Sequence, residues 1–488
     1  MIAERIKKNA RDRPDKMALG DWRNYTYRDL DERSDFYAVK FAKAGFEKGS
    51  RVVFAVKPGP ELYFSLFGLL KLGAVPVLAD PAMGFWRVLY CYRSAKPQGI
   101  VFKIGDRVKS LKIPPFVKGG SGGIFAVNFT TGSTGPAKGA EYTDGMLEAM
   151  LLKISKQYDH GPDSVSYSTL SLFGFFDLLL GSTVLSKPNP EVTHVFTSPA
   201  LLNQIAFSNM PHLKHVICGG SAPQSSQIPK LRDTTQFHVT YGATEALPIA
   251  STTNYQPGCL GTPLIDVKII DDEICISGPS VSASYYNNSQ ANQQHKLRLE
   301  GKLWHRTGDL GYFDSEGQLW SLGRKSDVVH TQHGLLYTVP IENYYNAKLN
   351  ARTALVGVGP KGSQIPILCI ESAKKFPVDI RHQSKIRRDQ LTRWAEKKMT
   401  YPPWLKIVPI AAWIFIAYGF WMPAEPKWLW VCWWLNAFLT PGLHILELYW
   451  SIPVGRKAGY SVGSSILMTM FLGATWWKSN LPARVPKT

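Results

Sequence analysis

The stretch Ile124-Phe-Ala-Val-Asn-Phe129, followed at once by Thr130-Thr-Gly-Ser-Thr-Gly-Pro-Ala-Lys-Gly139, decides the fold class of this 488-residue chain. The first part is almost entirely apolar, which predicts a buried strand. The glycines of the second part let the backbone pass close to a ligand, and its hydroxyl and N–H groups can surround phosphate oxygens. The pattern is not a P-loop, because GxxxxGK[ST] is absent. It predicts an anion-binding loop formed by Thr130, Thr131, Gly132, Ser133, Thr134, Gly135 and the cation Lys138.

Helical and strand patterns alternate on both sides of this loop. Residues 30–44 and 61–72 have helical periodicity, whereas residues 51–56 and 74–78 are typical of buried strands. Such alternation predicts a largely parallel sheet with helices on both faces. We therefore expect an α/β protein with a large multi-layer N-terminal domain (1–324), a small α+β domain (325–400) and a hydrophobic extension of membrane helices (401–488).

Composition limits the classes of protein and partner. Apolar residues make up 45% of the chain and charged residues 19%, which excludes a disordered protein. The formal charge of +19 favours anionic partners such as nucleotides or lipid head groups, although ordinary surface lysines explain it equally well. No basic stripe interleaved with aromatics is present, so we expect no nucleic-acid partner. The six cysteines form no CxxC pair, and residues 1–16 contain no apolar run. These two features predict a reducing compartment and no signal peptide.

The extension has a different composition from the rest of the chain. Residues 405–422 and 428–452 are nearly uncharged, and each approaches the roughly 20 residues that cross a bilayer. Tryptophans cluster at the ends of these runs, and basic residues flank them. The pattern predicts a two-span hairpin, with membrane lipid as a partner and the catalytic domains on the cytoplasmic side. The alternative is a pair of buried or interfacial helices in a soluble domain.

Four further motifs follow the loop, and together the five resemble the adenylate-forming superfamily of acyl-CoA synthetases, luciferases and peptide-synthetase adenylation domains. They are Val239-Thr-Tyr-Gly-Ala-Thr-Glu245, His305-Arg-Thr-Gly-Asp-Leu-Gly311, Gly323-Arg-Lys-Ser-Asp327 and Lys385-Ile-Arg-Arg388. They stand in the family's order, and the resemblance covers residues 20–400. It implies an enzyme that uses ATP and Mg²⁺ to adenylate a carboxylic acid.

The resemblance also implies roles for individual residues. Tyr241 covers adenine, Thr244 contacts the α-phosphate and Glu245 binds Mg²⁺, which are tasks that suit an aromatic ring, a hydroxyl and a carboxylate. Asp309 accepts both ribose hydroxyls, and Arg324 supplies a fixed cation near the ribose and the phosphates. Further nucleotide contacts are assigned to Gly242 and to the adenine-lining residues Gly219, Gly220 and Ser221.

Lys385 is assigned the catalytic cation of the small domain. The attacking carboxylate and the α-phosphate are both anions, so a cation between them stabilises the charge that develops in the transition state. In the family this lysine is brought in by rotation of the small domain, and the pivot corresponds to residues 325–327 here. The alternative to a catalytic role is that Lys385 is one of many surface lysines.

Several stretches resemble one branch more closely, namely the β-lactone synthetases of bacterial olefin biosynthesis. One is Ser171-Leu-Phe-Gly-Phe-Phe-Asp177, in which we assign acyl-chain binding to Phe173, Phe175, Phe176 and Asp177. The branch implies adenylation of a long-chain β-hydroxy fatty acid and closure by its own hydroxyl, without coenzyme A. Assembly with other lipid-biosynthesis enzymes is a further expectation.

The chain departs from this branch in being shorter between residues 104 and 124 and between 186 and 194, so the acyl pocket could be reduced. Two alternatives remain open. One is a fatty acyl-CoA or fatty acyl-AMP ligase that passes the acyl group to a thiol. The other is a catalytically degenerate, membrane-bound nucleotide-binding protein.

Overall fold

The computed structural model describes residues 2–79, 83–105, 107–112, 123–130, 136–170, 173–372, 375–378, 385–399, 407–421, 426–457 and 459–477. The chain divides into two compact units. The first comprises Met1–Val328, Tyr337–Asn350 and Val378–Arg387. The second comprises Val329–Leu336, Ala351–Pro377 and Arg388–Thr488.

The first unit contains eight described helices and twenty strands. The helices are α1 (Ile2–Asp12), α2 (Tyr27–Lys43), α3 (Pro60–Lys71), α4 (Phe85–Ala95), α5 (Asp144–Tyr158), α6 (Phe173–Leu179), α7 (Ser289–His295) and α8 (Thr338–Leu349). The strands are β1 (Met17–Gly20), β2 (Tyr25–Thr26), β3 (Arg51–Ala55), β4 (Val75–Leu78), β5 (Gly99–Ile104), β6 (Arg107–Lys112), β7 (Ile124–Phe129), β8 (Gly139–Thr143), β9 (Val165–Ser168), β10 (Thr183–Leu185), β11 (His194–Thr197), β12 (His215–Gly219), β13 (Gln236–Ala243), β14 (Ala246–Thr252), β15 (Cys259–Pro263), β16 (Asp266–Ile270), β17 (Glu273–Ser277), β18 (Lys296–Leu299), β19 (Lys302–Phe313) and β20 (Leu319–Arg324).

Local sequence accounts for the early elements. Helix α2 begins at a capping box in which Thr26 and Asp29 exchange side-chain and backbone hydrogen bonds. Its apolar face, with Leu30 and Phe41, is fully buried. The helices predicted at 30–44 and 61–72 and the strands predicted at 51–56 and 74–78 are confirmed as α2, α3, β3 and β4.

Two sheets form the first unit. The six-stranded sheet has the order β6-β5-β3-β4-β7-β8, with parallel central strands and antiparallel edges. The fourteen-stranded sheet has parallel strands from β1 through β10, β9, β11 and β12 to β13, and antiparallel pairs from β14 onward. The largely parallel sheet that we predicted therefore occurs only in these central parts. Short connections join the later strands, and such turns allow only antiparallel pairing.

The strand and helix alternation expected on both sides of the loop is interrupted between β11 and β13. Short 3₁₀ segments at Pro199–Gln204, Phe207–Asn209 and Ser225–Gln227 stand where helices were expected. Prolines at 199, 211 and 223 disfavour a continuous α-helix through this region.

The second unit begins with two antiparallel hairpins, β21 (Val329–Thr331) with β22 (Gly334–Leu336) and β23 (Thr353–Val358) with β24 (Ile365–Ile370). Helix α9 (Arg388–Met399) packs beside β23. It is followed by α10 (Ile407–Gly419), α11 (Lys427–Lys457), α12 (Val462–Leu472) and α13 (Ala474–Trp477). Among the described residues, α11 alone is long and apolar enough to cross a membrane. The two-span hairpin is thus not confirmed, because α10 has 13 residues.

Candidate active site

The glycine-rich loop leaves β7 and returns to β8, and its two ends are bonded to each other. The Thr130 N–H donates to the Lys138 carbonyl at 2.9 Å, and the Lys138 N–H donates to Thr130 Oγ1 at 3.1 Å. These bonds close the neck of the loop and hold Lys138 half-buried at its base. The loop residues assigned to phosphate binding, Thr131, Gly132, Ser133, Thr134 and Gly135, lie outside the described residues.

A segment that sequence reasoning did not single out, residues 281–286, connects this loop to the turn between β13 and β14. On one side the Tyr286 N–H donates to the Gly139 carbonyl at 2.8 Å, and a bridge joins Ala140 to Tyr285. On the other side the Ser282 N–H donates to the Glu245 carbonyl at 2.8 Å. The segment therefore fixes the end of the glycine-rich loop at Gly139 and the Glu245 turn as neighbours.

Glu245 lies at the centre of this arrangement with only 8% of its surface exposed. Its Oε1 accepts a hydrogen bond from the Tyr285 hydroxyl and lies 4.0 Å from His305 Nε2. Burial, with the Glu245 carboxylate beside it, raises the pKa of Tyr285, so this hydroxyl remains a donor. Burial lowers the pKa of His305 well below its ordinary value, and neighbouring Lys296 lowers it further. The imidazole is therefore neutral, and its contact with Glu245 is not an ion pair.

Asp309 joins Tyr241 and Arg324 in a second cluster. Strands β19 and β20 pair Asp309 with Arg324, and Arg324 Nε lies 2.8 Å from Asp309 Oδ1. The Tyr241 hydroxyl donates to Asp309 Oδ2 at 2.6 Å. Asp309 raises the pKa of Arg324, and burial together with Asp309 raises the pKa of Tyr241 well above its ordinary value. The three residues, drawn from three separate sequence motifs, thus form one oriented group with the carboxylate at its centre.

Glu273 supports this cluster and was not predicted from the sequence. Its carboxylate is 3% exposed and accepts from Arg306 at 2.9 Å, from Lys325 at 3.0 Å and from the Gly308 N–H at 3.0 Å. Because Gly308 precedes Asp309, the bond fixes the turn that presents Asp309. The bond to Lys325 fixes the first residue of the predicted pivot to β17. No local pattern marks Glu273, because Asp271-Asp-Glu273 has the composition of an ordinary turn.

Lys138 contacts a histidine that was also not predicted. His295 Nε2 lies 2.8 Å from Lys138 Nζ, and His295 Nδ1 lies 3.2 Å from the Arg306 carbonyl. Burial lowers the pKa of both side chains, and Lys138 lowers that of His295 further. Lys296, at the start of β18, is a second cation here, and burial lowers its pKa to about 8. The base of the loop is therefore lined by positive charge that is partly withdrawn from water, which favours an anionic ligand.

Two glycines, Gly220 and Gly242, lie in the segments that were assigned to nucleotide binding. Gly220, directly after β12, has φ +91°, a left-handed conformation that favours glycine. A Cβ on Gly242, in β13, would lie 2.4 Å from Leu247 Cδ1, so a side chain there would require Leu247 to shift. Gly219 and Ser221 flank Gly220 at the carboxyl end of a parallel strand, where α/β sheets place their ligands. The Thr244 carbonyl is held by the Tyr142 hydroxyl at 2.6 Å, which orients this residue beside Glu245.

The residues assigned to acyl-chain binding lie in α6 and differ in how deeply they are buried. Phe175 is buried and stacks on Phe67 at 5.3 Å, whereas Phe173 and Phe176 are partly exposed. Asp177 is 1% exposed and lies 2.7 Å from His160 Nε2. Its carboxylate is therefore engaged in a buried pair, a geometry that favours a structural role over substrate binding.

Lys385 is half-buried. Its segment, Val378–Arg387, belongs to the first unit, whereas β23, β24 and α9 belong to the second. Lys385 is thus assigned to the unit that contains Asp309 and Glu245, whereas Arg388, the last residue of its motif, belongs to the second unit. Rotation about residues 325–327 remains a prediction.

Comparison with known proteins identifies the family of the chain. The family model described as AMP-binding enzyme matches residues 6–118 and 106–286. An olefin beta-lactone synthetase of Stenotrophomonas maltophilia is 29% identical over 542 residues, covering 82% of this chain and 98% of that protein. One from Xanthomonas campestris pv. campestris is 30% identical, covering 81% of this chain and 98% of that protein. Since 542 aligned positions exceed the 488 residues of this chain, these relatives contain segments that it lacks.

Solved structures share the fold. The o-succinylbenzoate coenzyme A synthetase of Bacillus subtilis in complex with ATP and magnesium superposes with a TM-score of 0.65 at 19% identity, over 77% of this chain and 90% of that one. Its complex with AMP gives a TM-score of 0.67, also at 19% identity, over 79% and 97% of the two chains. The family model and these relatives show that the chain belongs to the AMP-binding enzyme family and is an AMP-forming ligase.

Proposed function

We propose that this enzyme uses ATP to activate a long-chain β-hydroxy fatty acid as its acyl adenylate and then closes the acyl group to a β-lactone. The adenylation step is supported by the Tyr241–Asp309–Arg324 group beside the loop neck at Lys138. The second half is supported by the relatives that are olefin beta-lactone synthetases, which this chain matches over 98% of their length.

In the first step a carboxylate oxygen of the acid attacks the α-phosphorus of ATP, and pyrophosphate leaves. The Asp309 carboxylate accepts hydrogen bonds from the ribose hydroxyls. Tyr241 and Arg324 hold the orientation of this carboxylate. Lys138 and Arg324 offset the negative charge of the phosphates in a site partly withdrawn from water. Lys385 is the cation proposed to meet the attacking carboxylate.

Such a reaction uses a magnesium ion, and Glu245 supplies one carboxylate for it. Mg²⁺ at nucleotide sites is commonly held by one or two carboxylates together with substrate phosphates and water. Glu245 is a single carboxylate whose Oε1 is already held by Tyr285. No group of three or more metal-ligating side chains occurs within the described ranges. Bound Mg²⁺ would offset phosphate charge at this position, and Tyr285 would fix the orientation of the carboxylate that holds it.

In the second step the β-hydroxyl oxygen attacks the acyl carbonyl carbon, the bond from that carbon to the AMP oxygen breaks, and the hydroxyl proton is released. AMP and the four-membered lactone are the products. Because nucleophile and electrophile belong to one molecule, the enzyme contributes mainly by holding the chain folded. The partly exposed rings of Phe173 and Phe176 are proposed to line the path of the acyl chain.

The test is product analysis by mass spectrometry. The purified chain is incubated with ATP, Mg²⁺ and a long-chain 3-hydroxy acid, with and without coenzyme A, and the matched control substrate is the same acid without its hydroxyl. We expect lactone, AMP and pyrophosphate from the hydroxy acid regardless of coenzyme A, and pyrophosphate without lactone from the control. Thioester formation without lactone would replace the proposal by an acyl-CoA ligase, and absence of pyrophosphate release from every acid would indicate a degenerate protein.

A further inference from the structure

We infer that α11 crosses a lipid bilayer, with α10 and α12 packed against its polar side. This inference does not rest on the proposed reaction. It begins with the distribution of side chains on α11, which is the reverse of that in a water-soluble helix. Phe438, Leu446 and Tyr449 are 71%, 64% and 79% exposed, whereas His444 and Ser451 are 7% and 0% exposed. Large apolar surface that faces outward around a polar interior is unfavourable in water and favourable in hydrocarbon.

The polar residues of α11 form one stripe at helical spacing. Its members are Asn436, Thr440, His444, Glu447, Ser451 and Gly455. Successive positions differ by three or four residues, so all six lie on the same side of the helix. Glu447 is the one acidic or basic residue between positions 428 and 455. Both Glu447 and His444 point towards Gly473, where an added Cβ would lie 3.3 Å from Glu447 Oε2 and 2.6 Å from His444 Nε2.

The neighbouring helices satisfy part of this stripe by hydrogen bonds, whereas the buried Glu447 Oε2 has no hydrogen-bond partner among the described residues. Helix α10 covers its first half, where Asn436 donates to the Ala412 carbonyl at 2.9 Å. Helix α12 covers its second half, where Thr469 donates to Ser451 Oγ at 2.7 Å and His444 Nδ1 lies 2.6 Å from the Met470 carbonyl. Hydrogen bonds between helices, with few outward polar groups, are typical of helices packed within a membrane.

Small residues allow these helices to approach closely. A Cβ on Gly419 would lie 1.6 Å from Trp433 Nε1, and one on Gly455 would lie 2.1 Å from Ser465 Oγ. Membrane helices pack through such small residues because burial of apolar surface offers no driving force in lipid. Two prolines, Pro441 and Pro453, lie inside α11, an arrangement that membrane helices tolerate.

The length of α11 indicates that a lipid bilayer surrounds this apolar surface. Trp450 follows Trp430 by 20 positions. At about 1.5 Å per residue the two rings are roughly 30 Å apart along the helix, which equals the thickness of the hydrocarbon core. Tryptophan prefers the two edges of that core, and Lys427 and Arg456 stand just beyond them. A protein partner would require no such match in length, nor basic residues at both ends.

The first experiment uses the full-length protein with vesicles of phosphatidylcholine and phosphatidylglycerol. Wild type should float with the vesicles and resist extraction by alkaline carbonate. Leu439→Arg combined with Leu446→Arg places two charges on the outward face and should increase the extracted fraction by about tenfold or more. Leu152→Arg is the matched control, since Leu152 is 70% exposed in the first unit. It should behave as wild type.

Failure of wild type to float, or equal retention of the double arginine variant, would overturn the inference. A discrete dimer in buffer without lipid or detergent would also overturn it, because the apolar surface would then be covered by a second copy. Pyrophosphate exchange measured on the same samples reports separately on the proposed reaction.

The second experiment separates crossing from lying on the surface. Cysteine is introduced at Lys427 or at Arg456 in a Cys432→Ser background, because Cys432 is the exposed cysteine of the chain while the other five are buried. In sealed membrane vesicles a membrane-impermeant maleimide should label one of the two positions and reach the other only after the vesicles are opened. Equal labelling of both positions before opening would exclude crossing.

Discussion

His295 Nε2 lies 2.8 Å from Lys138 Nζ at the base of the phosphate loop. The second ring nitrogen of His295, Nδ1, faces the Arg306 carbonyl at 3.2 Å, and an N–H is the group that a carbonyl can accept from. Since burial lowers the pKa of His295, the ring is neutral and carries its proton on Nδ1. The Nε2 lone pair therefore accepts from the Lys138 ammonium and fixes its position.

The first prediction tests this orientation. His295→Ala should raise the KM for ATP in pyrophosphate exchange by about tenfold, because a hydrogen bond to a charged group is worth roughly 1.5 kcal/mol or more. His295→Gln should restore much of the loss, since an amide oxygen can accept from Lys138. His333→Ala, at an exposed histidine, is the control. An unchanged KM in His295→Ala, or an equal loss in the glutamine variant, would contradict the positioning role.

The second prediction concerns the ribose cluster. Asp309→Asn removes the charge that Arg324 faces at 2.8 Å and weakens the acceptor of the Tyr241 hydroxyl. The KM for ATP should rise about 30-fold or more, as expected for the loss of charged hydrogen bonds worth roughly 2 kcal/mol. The control is Glu316→Gln, an exposed carboxylate in the turn between the same two strands. Binding of ATP by Asp309→Asn with wild-type affinity would remove Asp309 from the ribose site.

The sequence predicts the parts of this site that lie within single motifs. Tyr241, Asp309 and Arg324 could be named because each stands in a short pattern with a characteristic order. Glu273, Tyr285 and His295 could not, because their roles come from contacts between segments distant along the chain. Tyr285 in particular is placed by the bridge from Ala140, which no local periodicity indicates. The same limit explains the mixed sheet, since strand direction after β13 depends on turns and not on apolar pattern.

The third prediction concerns stability. Glu273→Gln should lower the free energy of unfolding of the first unit by about 3 kcal/mol, because it leaves Arg306 and Lys325 facing a neutral group at a buried position. Chemical unfolding followed by tryptophan fluorescence measures this change. Glu300→Gln removes the carboxylate of a surface pair with Lys268 and should have no measurable effect. Equal free energies of unfolding for the two variants would show that Glu273 does not stabilise the first unit.

The fourth prediction is a loss of stability in acid, caused by histidines in the centre of the large sheet. His194, His215 and His238 lie on adjacent strands, with ring centroids 4.9 and 5.3 Å apart, and His160 packs on His194 at 4.5 Å. Burial lowers the pKa of His194 to about 2 and that of His238 to about 4, and it also lowers that of His215. The neighbouring charges are Lys214, which lowers the pKa of His194 and His215, and Asp159, which raises that of His215.

The sign of this effect follows from linkage. The unfolded histidines bind protons below their ordinary pKa of 6.5, whereas the folded ones stay neutral, so stability is complete above that pH and falls as the pH decreases. Each histidine contributes up to about 1.4 kcal/mol per pH unit. The melting temperature measured against pH should therefore fall less steeply for His238→Gln than for wild type. The exposed His212→Gln is the control, and a slope in His238→Gln equal to that of wild type would contradict the prediction.

The last prediction separates the two half-reactions at Lys385. If this cation stabilises the approach of the carboxylate to the α-phosphate, Lys385→Ala should lose about 100-fold or more of its pyrophosphate-exchange rate, as for removal of one preorganised charge. The same variant should still close a synthetic β-hydroxyacyl adenylate to the lactone, because that step has no second anion to approach. Lys361→Ala, at an exposed lysine, should match wild type in both assays. Equal losses in the two half-reactions would indicate that Lys385 maintains the structure of the site, and full exchange activity would remove it from the mechanism.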